Sequence, residues 1–359
     1  MNYFKIASKL FFRKNSLPIY LILFVTNRCN ARCSHCFYSK KINQPSEELR
    51  LDELIKISKN LNSVEHLSIT GGEPFIRKDL VAIIEAFYRY SKIRSINLST
   101  NGLLSDRIFM TVEAVLKECP ELNLQVTISI DGIGIQHDEI RGVPGIFNKA
   151  TETIKKLKTI HNKNLQIAVN TTLMGQNYKN IHKIYFYIRD VIQPDSFFPL
   201  LIRGDAKESR NEGVIQDAYK KLVFLWEQDM KLGHGLGYKK RLFSSILNAR
   251  DMLSRKLVLN IVRGRNKCFV NCLAGSLTGV VYENGDVSAC EVKDLKIGNI
   301  RETDYQLKKI WFSQEAIRVR KLIEQSKCFC THEGFLNINV LFNPKMVPKL
   351  LKEWLKLIH

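Results

Sequence analysis

Short apolar runs alternate with stretches of helical periodicity over the first 205 residues. Buried strands are predicted at residues 19–26, 66–70, 93–99, 122–130, 165–173 and 196–202. Helices, in which apolar residues recur every three or four positions, are predicted at 51–61, 80–90, 108–117, 147–160 and 178–191. Strands that alternate with helices form parallel sheets with right-handed crossovers. Because six units are too few for an eight-stranded barrel, we expect an α/β fold with an open, partial (β/α)6 barrel.

The pattern changes after about residue 204. Two helical stretches precede two strand-like runs separated by Asn284-Gly285, which predicts a hairpin. A helical pair near 305–325 and an amphipathic stretch at 345–359 follow. We therefore divide the chain into five parts. They are a basic N-terminal segment (1–18), the partial barrel (19–205), a helical connection (206–265), a cysteine-bearing domain (266–335) and a basic C-terminal helix (336–359).

The charge balance is strongly positive, with 55 Lys and Arg against 35 Asp and Glu in 359 residues. This favours an anionic partner such as an anionic or lipid-linked substrate, a membrane surface or a nucleic acid, or else a solvated basic surface. No nucleic-acid-binding module is recognisable, and no apolar run reaches the roughly 18 residues that a membrane span needs. We expect a cytoplasmic protein whose basic, apolar ends either contact a membrane peripherally or pack on the barrel with their lysines in solvent.

Eight of the nine cysteines fall into two groups, which favours metal binding over disulfides in an intracellular chain. The first group, Cys29, Cys33 and Cys36, follows the first strand with C-x3-C-x2-C spacing. Three thiolates can hold three irons of a [4Fe–4S] cubane and leave the fourth iron open, as a catalytic metal site requires. Zinc is the alternative, but it would need a fourth ligand that His35, beside Cys36, could hardly supply.

Further polar and glycine-rich motifs follow the other predicted strands. They are Gly71-Gly72-Glu73-Pro74, Ser99-Thr100-Asn101-Gly102, Ser129-Ile130-Asp131-Gly132 with His137-Asp138 and Arg141-Gly142 after it, Asn170 and Arg203. Together with Cys29-Asn-Ala-Arg-Cys33-Ser-His35-Cys36, their order and placement resemble the radical S-adenosylmethionine (SAM) superfamily over residues 19–205.

The resemblance implies a role for each motif. The cysteines would hold the cluster that binds the amino and carboxylate groups of SAM, and His35 stands where the family has an aromatic residue. Gly71 and Gly72 would let the backbone approach the ligand, and Glu73 would accept a hydrogen bond from the methionine amino group. The remaining SAM contacts would come from Ser99, Asn101, Ser129, Asp131 and Asn170 near the ribose, and from Arg203 at the carboxylate. The alternative for each is a turn or capping residue.

The second cysteine group comprises Cys268, Cys272, Cys290, Cys328 and Cys330, of which the last four are the expected cluster ligands. Cys272-Leu-Ala-Gly275, the hairpin with Asn284-Gly285-Asp286, and then Cys290 resemble the auxiliary-cluster domain of the SPASM and twitch subfamilies. Four thiolates imply a fully coordinated auxiliary [4Fe–4S] cluster suited to electron transfer, with zinc as the alternative. Gly334 stands where another cysteine would begin a second auxiliary site, so one auxiliary cluster is expected. Cys268 is expected to be either a further ligand or a buried thiol, and His332 to be either a ligand or a surface residue. Cys119 is expected to be a structural thiol.

These features predict an enzyme that cleaves SAM to a 5′-deoxyadenosyl radical, which abstracts hydrogen from a peptide, carbohydrate or lipid-linked substrate. The resemblance also implies an electron donor such as flavodoxin or ferredoxin. Two alternatives remain at this point: an RNA-modifying radical SAM enzyme, and a non-catalytic metal-binding scaffold.

Overall fold

The computed structural model describes residues 17–61, 64–203, 212–234, 236–238, 244–263, 270–293, 295–328 and 330–357. Most of the basic N-terminal segment and Cys268 lie outside these residues, so the predictions made for them are not addressed. None of the described helices is both long and apolar enough to cross a membrane.

A nine-stranded sheet organises the described chain, in the order β6-β5-β4-β3-β2-β1-β7-β8-β9. Six parallel strands form the predicted partial barrel: β1 Tyr20–Phe24, β2 His66–Thr70, β3 Ser95–Thr100, β4 Asn123–Ser129, β5 Leu165–Leu173 and β6 Ser196–Leu201. The other strands are β7 Thr278–Val281, β8 Asp286–Ser288 and β9 Lys296–Asn299. β7 pairs in parallel with β1, and β8 and β9 follow antiparallel. The predicted hairpin therefore continues the barrel sheet.

Twelve α-helices accompany this sheet in the described chain. They are α1 Leu51–Lys59, α2 Leu80–Tyr90, α3 Ser105–Glu118, α4 Ile135–Arg141, α5 Ile146–Lys158, α6 Ile181–Tyr187, α7 Glu212–Lys231, α8 Ser244–Val262, α9 Leu307–Trp311, α10 Gln314–Gln325, α11 Glu333–Leu341 and α12 Val347–Leu355. The α/β fold predicted from the periodicity is confirmed. The elements α4, α11 and β9 were not predicted, because α4 and β9 span too few residues to show a period and the apolar residues of α11 lack a clear helical spacing.

The two faces of the parallel sheet differ in chemistry. The face under the helices is apolar and belongs to the main hydrophobic core. On the opposite face, register-paired positions carry polar side chains, among them Ser68, Asn97, Gln125 and Gln166. Asn97 Oδ1 accepts hydrogen bonds from Gln125 Nε2 at 3.2 Å and from Thr127 Oγ1 at 2.6 Å. Because side chains of paired residues point the same way, these groups line the interior of the open barrel.

The last barrel strand, β6, has a free edge, since the sheet ends there. At this edge the backbone N–H of Leu201 donates to Glu333 Oε1 at 3.2 Å. Glu333 is the first residue of α11 and is 3% exposed. A segment from the C-terminal part of the chain thus satisfies an edge-strand donor and closes the side of the open barrel.

Candidate functional site

The loop of Cys29, Cys33 and Cys36 follows β1 and is fixed at both of its ends. Asn43, in the left-handed region with φ 58°, accepts from the Cys29 N–H at 2.8 Å and donates to the Cys29 carbonyl at 3.0 Å. The N–H of Ser34 donates to the carbonyl of Ile140 in α4 at 3.0 Å. All three cysteines are thiols of intermediate burial on this one loop.

Two glycines after β2 make room for the same loop. A Cβ on Gly71 would lie 2.2 Å from the Thr26 carbonyl oxygen, and one on Gly72 would lie 2.2 Å from that of Arg28. The N–H of Gly72 donates to Thr26 O at 2.8 Å. The lack of a Cβ at both positions therefore lets the backbone before the cysteines pack closely on this turn, and the predicted approach of the ligand stays a prediction.

Glu73 is buried at the end of this turn, with 1% of its surface exposed. Its carboxylate accepts from the Thr100 hydroxyl at 2.9 Å, the Asn101 N–H at 2.8 Å and the Phe75 N–H at 3.2 Å. Burial raises the pKa of Glu73 to about 7, although these three donors oppose the shift. The carboxylate is rigidly held, and a donor from a ligand would favour its charged form.

Asp131 is fully buried and already paired. Its Oδ2 lies 2.5 Å from Arg141 Nη2, and its Oδ1 accepts from the Thr172 N–H at 2.7 Å. Burial alone would raise its pKa, but Arg141, and then His35 and His137, hold the pKa of Asp131 below its ordinary value. The ribose contact stays a prediction, because a carboxylate can accept further hydrogen bonds beyond those from Arg141 and the β5 backbone.

Arg141 links this pair to the cysteine loop. Its Nη1 donates to Cys33 Sγ at 3.5 Å, so a buried cation backed by a carboxylate faces a thiol of the first group. No role was predicted for Arg141, although it lies in one of the motifs singled out from the sequence. Hydrogen bonds and charge at cysteine sulfur stabilise thiolates and tune iron–sulfur clusters.

His35 lies beside the same pair, with Nε2 3.5 Å from Asp131 Oδ2. Burial lowers the pKa of His35 to about 4, with Asp131 opposing the shift and Arg141 adding to it, so the ring is neutral at pH 7. With Nε2 directed at Asp131, the buried Nδ1 is left without a hydrogen-bond partner in the described chain.

The remaining predicted SAM contacts lie at the carboxyl ends of β3 to β5. The amide of Asn101 donates to Asn30 Oδ1 at 2.8 Å and its oxygen accepts from the Leu103 N–H at 2.9 Å, so it positions the cysteine loop and caps its own turn. Ser99 accepts from Asn97 Nδ2 at 3.4 Å. Ser129 and Asn170 are register partners on the polar face, and Asn170 Oδ1 is buried with no partner in the described part of the chain.

Arg203 forms an ion pair within the chain. Its Nη1 donates to Glu333 Oε2 at 3.0 Å, which pairs it with α11. The contact with the SAM carboxylate stays a prediction, because the guanidinium has further N–H donors beside the one given to Glu333.

In the second group, Cys272, Cys290, Cys328 and Cys330 form a cluster of mutually interacting thiols. The Cys272 thiol donates to Cys328, and this hydrogen bond, with help from Lys293, lowers the pKa of Cys328 to about 6. Burial raises the pKa of Cys330 to about 11. Backbone N–H groups point at three of the sulfurs: Ala274 at Cys272, Val292 and Lys293 at Cys290, and His332 at Cys330.

His332 is neither a surface residue nor an available ligand. It is 5% exposed, its ring stacks on Phe335, and its Nδ1 accepts from the Phe335 N–H at 3.4 Å. That contact places the proton on Nε2, which donates to Glu291 Oε2 at 2.5 Å. Cys119 is buried at the end of α3, in agreement with a structural thiol.

Both cysteine groups suit iron–sulfur clusters better than a single metal ion. In the described residues no three His, Cys, Asp or Glu side chains are arranged to hold one ion. Each cysteine of a cubane binds a different iron, so convergence on one point is not needed, and N–H···S donors are present at both groups. Beside the first group, His35 Nδ1, Arg141 Nε and Asn170 Oδ1 are buried polar atoms without partners in the described chain, which suits a polar ligand such as SAM.

Comparison with known proteins agrees with this chemistry. The model of the radical SAM superfamily matches residues 23–188, and that of the SPASM iron–sulfur cluster-binding domain matches residues 272–332. Proteins with these domains use a [4Fe–4S] cluster, SAM and auxiliary iron–sulfur clusters.

Three relatives illustrate the range of the family. An Fe-coproporphyrin III synthase of Methanosarcina barkeri is 28% identical over 63% of this chain. The aligned part of this chain spans only 55% of the length of that relative. An AdoMet-dependent heme synthase of the same organism is 26% identical over 85% of each chain. The sporulation killing factor maturation protein SkfB of Bacillus subtilis is 26% identical over 80% of this chain and 63% of its own.

Solved structures share the fold. The structure of anSMEcpe with bound AdoMet and a peptide aligns with a TM-score of 0.61 and 18% identity over 95% of this chain and 96% of its own. Streptococcus suis SuiB with bound S-adenosylmethionine aligns with a TM-score of 0.62 and 18% identity over 89% of this chain and 72% of its own. Residues 23–188 of this chain form a radical SAM domain, and residues 272–332 form a SPASM iron–sulfur cluster-binding domain.

Proposed function

We propose that this enzyme abstracts hydrogen from a peptide held in the polar interior of the barrel, with one auxiliary [4Fe–4S] cluster as electron acceptor. When bound, SAM and the cluster of Cys29, Cys33 and Cys36 would supply a 5′-deoxyadenosyl radical. A flavodoxin- or ferredoxin-type donor would provide the electron. The observation that carries the proposal is the polar face of the parallel sheet, which is linked to the cysteine loop by the Asn101–Asn30 hydrogen bond after β3.

The chain's own residues would orient SAM. Glu73, held by three donors, presents a fixed carboxylate for the methionine amino group. Asn170 Oδ1 and His35 Nδ1 offer acceptors that have no partner among the described residues, the kind of group that hydroxyl or amino donors of a nucleoside satisfy. Arg141 offers its Nη1–H to the sulfur of Cys33.

The interior favours a substrate rich in hydrogen-bonding groups. Asn97, Gln125 and Thr127 bond to one another there, and Gln166 Nε2 donates to Ser196 Oγ at 3.0 Å. Gln166 Oε1 remains buried without a partner in the described residues. A peptide backbone or a hydroxylated carbohydrate can pair with such groups, whereas a largely apolar macrocycle would leave them unsatisfied. Similarity to SkfB, named as a maturation protein, supports the peptide over the carbohydrate.

The auxiliary group supports a single, fully ligated cluster. Its four thiols interact with one another, and His332 and Glu291 bond to each other instead of offering ligands. Full ligation by protein leaves no open iron for substrate, which favours electron transfer as the task of this cluster.

Cytoplasmic location and peripheral membrane contact stay predictions. Helix α12 exposes an apolar stripe of Val347, Leu351 and Leu355.

Substrate pools test the proposal. The anaerobically reconstituted, reduced protein is incubated with SAM in three separate reactions. One contains a cellular peptide fraction below 5 kDa, one an oligosaccharide fraction, and one iron-coproporphyrin III. The expected result is that only the peptide fraction increases 5′-deoxyadenosine above the substrate-free rate, and that peptides two mass units lighter appear. Stimulation by the porphyrin or the oligosaccharides alone would replace the peptide assignment.

A further inference from the structure

The two cysteine loops meet at one side chain, Arg203, which follows β6. Its guanidinium lies 6.0 Å from the ring centroid of Phe37, the residue directly after Cys36. On its other side, Nη1 donates to Glu333, three residues after Cys330. One arginine therefore contacts a neighbour of each cluster-binding loop.

The contact with Glu333 is anchored in the barrel. The same carboxylate accepts the Leu201 N–H of β6 through Oε1 and the Arg203 guanidinium through Oε2. It is nearly fully buried, so losing its cation would leave a buried charge, and this makes the pairing strongly preferred. Arg203 and Glu333 thus fasten the auxiliary loop to the free edge of the sheet.

The electrostatic surroundings of Arg203 also lie on the auxiliary side. Its guanidinium pairs with Glu333, three residues after Cys330, so its positive charge lies next to the auxiliary loop. Net charge near an iron–sulfur cluster is one determinant of its reduction potential.

We propose that Arg203 is a positioning residue that, through Phe37 and Glu333, fixes the spacing of the two clusters and biases the potential of the auxiliary one. The inference rests on the proposed function only in requiring that both cysteine groups hold clusters. If the pair is broken, the loop of Cys328 and Cys330 loses its attachment to β6, and the separation of the clusters is no longer fixed.

The experiment compares wild type with R203M, R203K and E333Q, each reconstituted and assayed for iron before any other measurement. R189M is the matched control, because Arg189 pairs with Asp229 at 2.9 Å with a similar exposure, 27% against 21% for Arg203. Pulsed electron paramagnetic resonance on the fully reduced protein reports the separation of the two clusters. A redox titration reports the potential of each cluster.

R203M should broaden or shift the distribution of cluster separations, R203K should restore it in part, and R189M should match wild type. E333Q, which keeps an acceptor for the Leu201 N–H but leaves the Arg203 charge unbalanced, should shift the auxiliary potential upward and leave the first cluster's potential unchanged. If R203M loses iron, R203K and E333Q decide the question. Wild-type separations and potentials in both of them would overturn the proposal, whereas about four irons per wild-type chain would mean that the auxiliary cluster itself is absent.

Discussion

The Asp131–Arg141 pair gives a sharp prediction, because breaking it leaves a charge where water cannot reach. The Asp131 side chain is 0% exposed and that of Arg141 is 9% exposed, and their charged atoms are 2.5 Å apart. Removing one partner of a buried pair costs about 3–5 kcal/mol, whereas removing both together costs much less than the sum. D131N and R141M should therefore each lower the free energy of unfolding by about 3 kcal/mol or more, and D131N/R141M should show a coupling of about 2–3 kcal/mol.

Urea unfolding of the iron-free protein at pH 7.5, followed by far-UV circular dichroism, measures all three variants. The control is the pair Arg94–Glu121, 3.0 Å apart, in which Glu121 is 71% exposed, so E121Q should cost less than about 1 kcal/mol. Single losses below about 1 kcal/mol, or losses that add without coupling, would refute the view that Asp131 is committed to Arg141.

Three further predictions concern the same site. G72A should prevent the cysteine loop from docking and lower the iron bound per chain, because its Cβ would lie 2.2 Å from Arg28 O. The control G213A has open space at its Cβ and should bind iron normally. E73Q should lower 5′-deoxyadenosine formation about 10- to 100-fold at unchanged iron content, since a hydrogen bond to a charged group contributes about 1.5–3 kcal/mol. Burial lowers the pKa of His137 from 6.5 to about 4, so the folded state excludes a proton that the unfolded state binds, and stability should fall as pH drops from 6.5 to 4. H137N should remove about 2 kcal/mol of that loss between pH 7 and pH 5, measured by urea unfolding at both values; an unchanged pH dependence would contradict the assignment.

The barrel and the two cysteine groups could be predicted because each depends on local sequence. Strand and helix periods are visible over eight to ten residues, and the spacing of Cys29, Cys33 and Cys36 places three thiols on one loop whatever surrounds them. The pairing of β7 with β1 could not be predicted, since an apolar run does not specify which strand it joins.

The partners of charged residues were the least predictable part of the site. Asp131 and Arg203 stand at strand ends, as ligand-binding residues do, and each also forms an ion pair within the chain, with Arg141 or Glu333. Those pairings depend on how α4 and α11 pack, which periodicity does not reveal for such short helices. Likewise, His332 looked like a loop residue because α11, which it caps, could not be recognised in the sequence.

The central claim is that this chain carries out radical SAM chemistry with two iron–sulfur clusters. It is tested most directly by counting iron and sulfide per anaerobically reconstituted chain, then adding dithionite and SAM and quantifying 5′-deoxyadenosine. Wild type should hold about eight irons and form 5′-deoxyadenosine; C272A/C290A/C328A/C330A should hold about four and still form it, and C29A/C33A/C36A should hold about four and form none. A loaded and reduced wild-type protein that forms no 5′-deoxyadenosine, even with the peptide fraction present, would contradict the account.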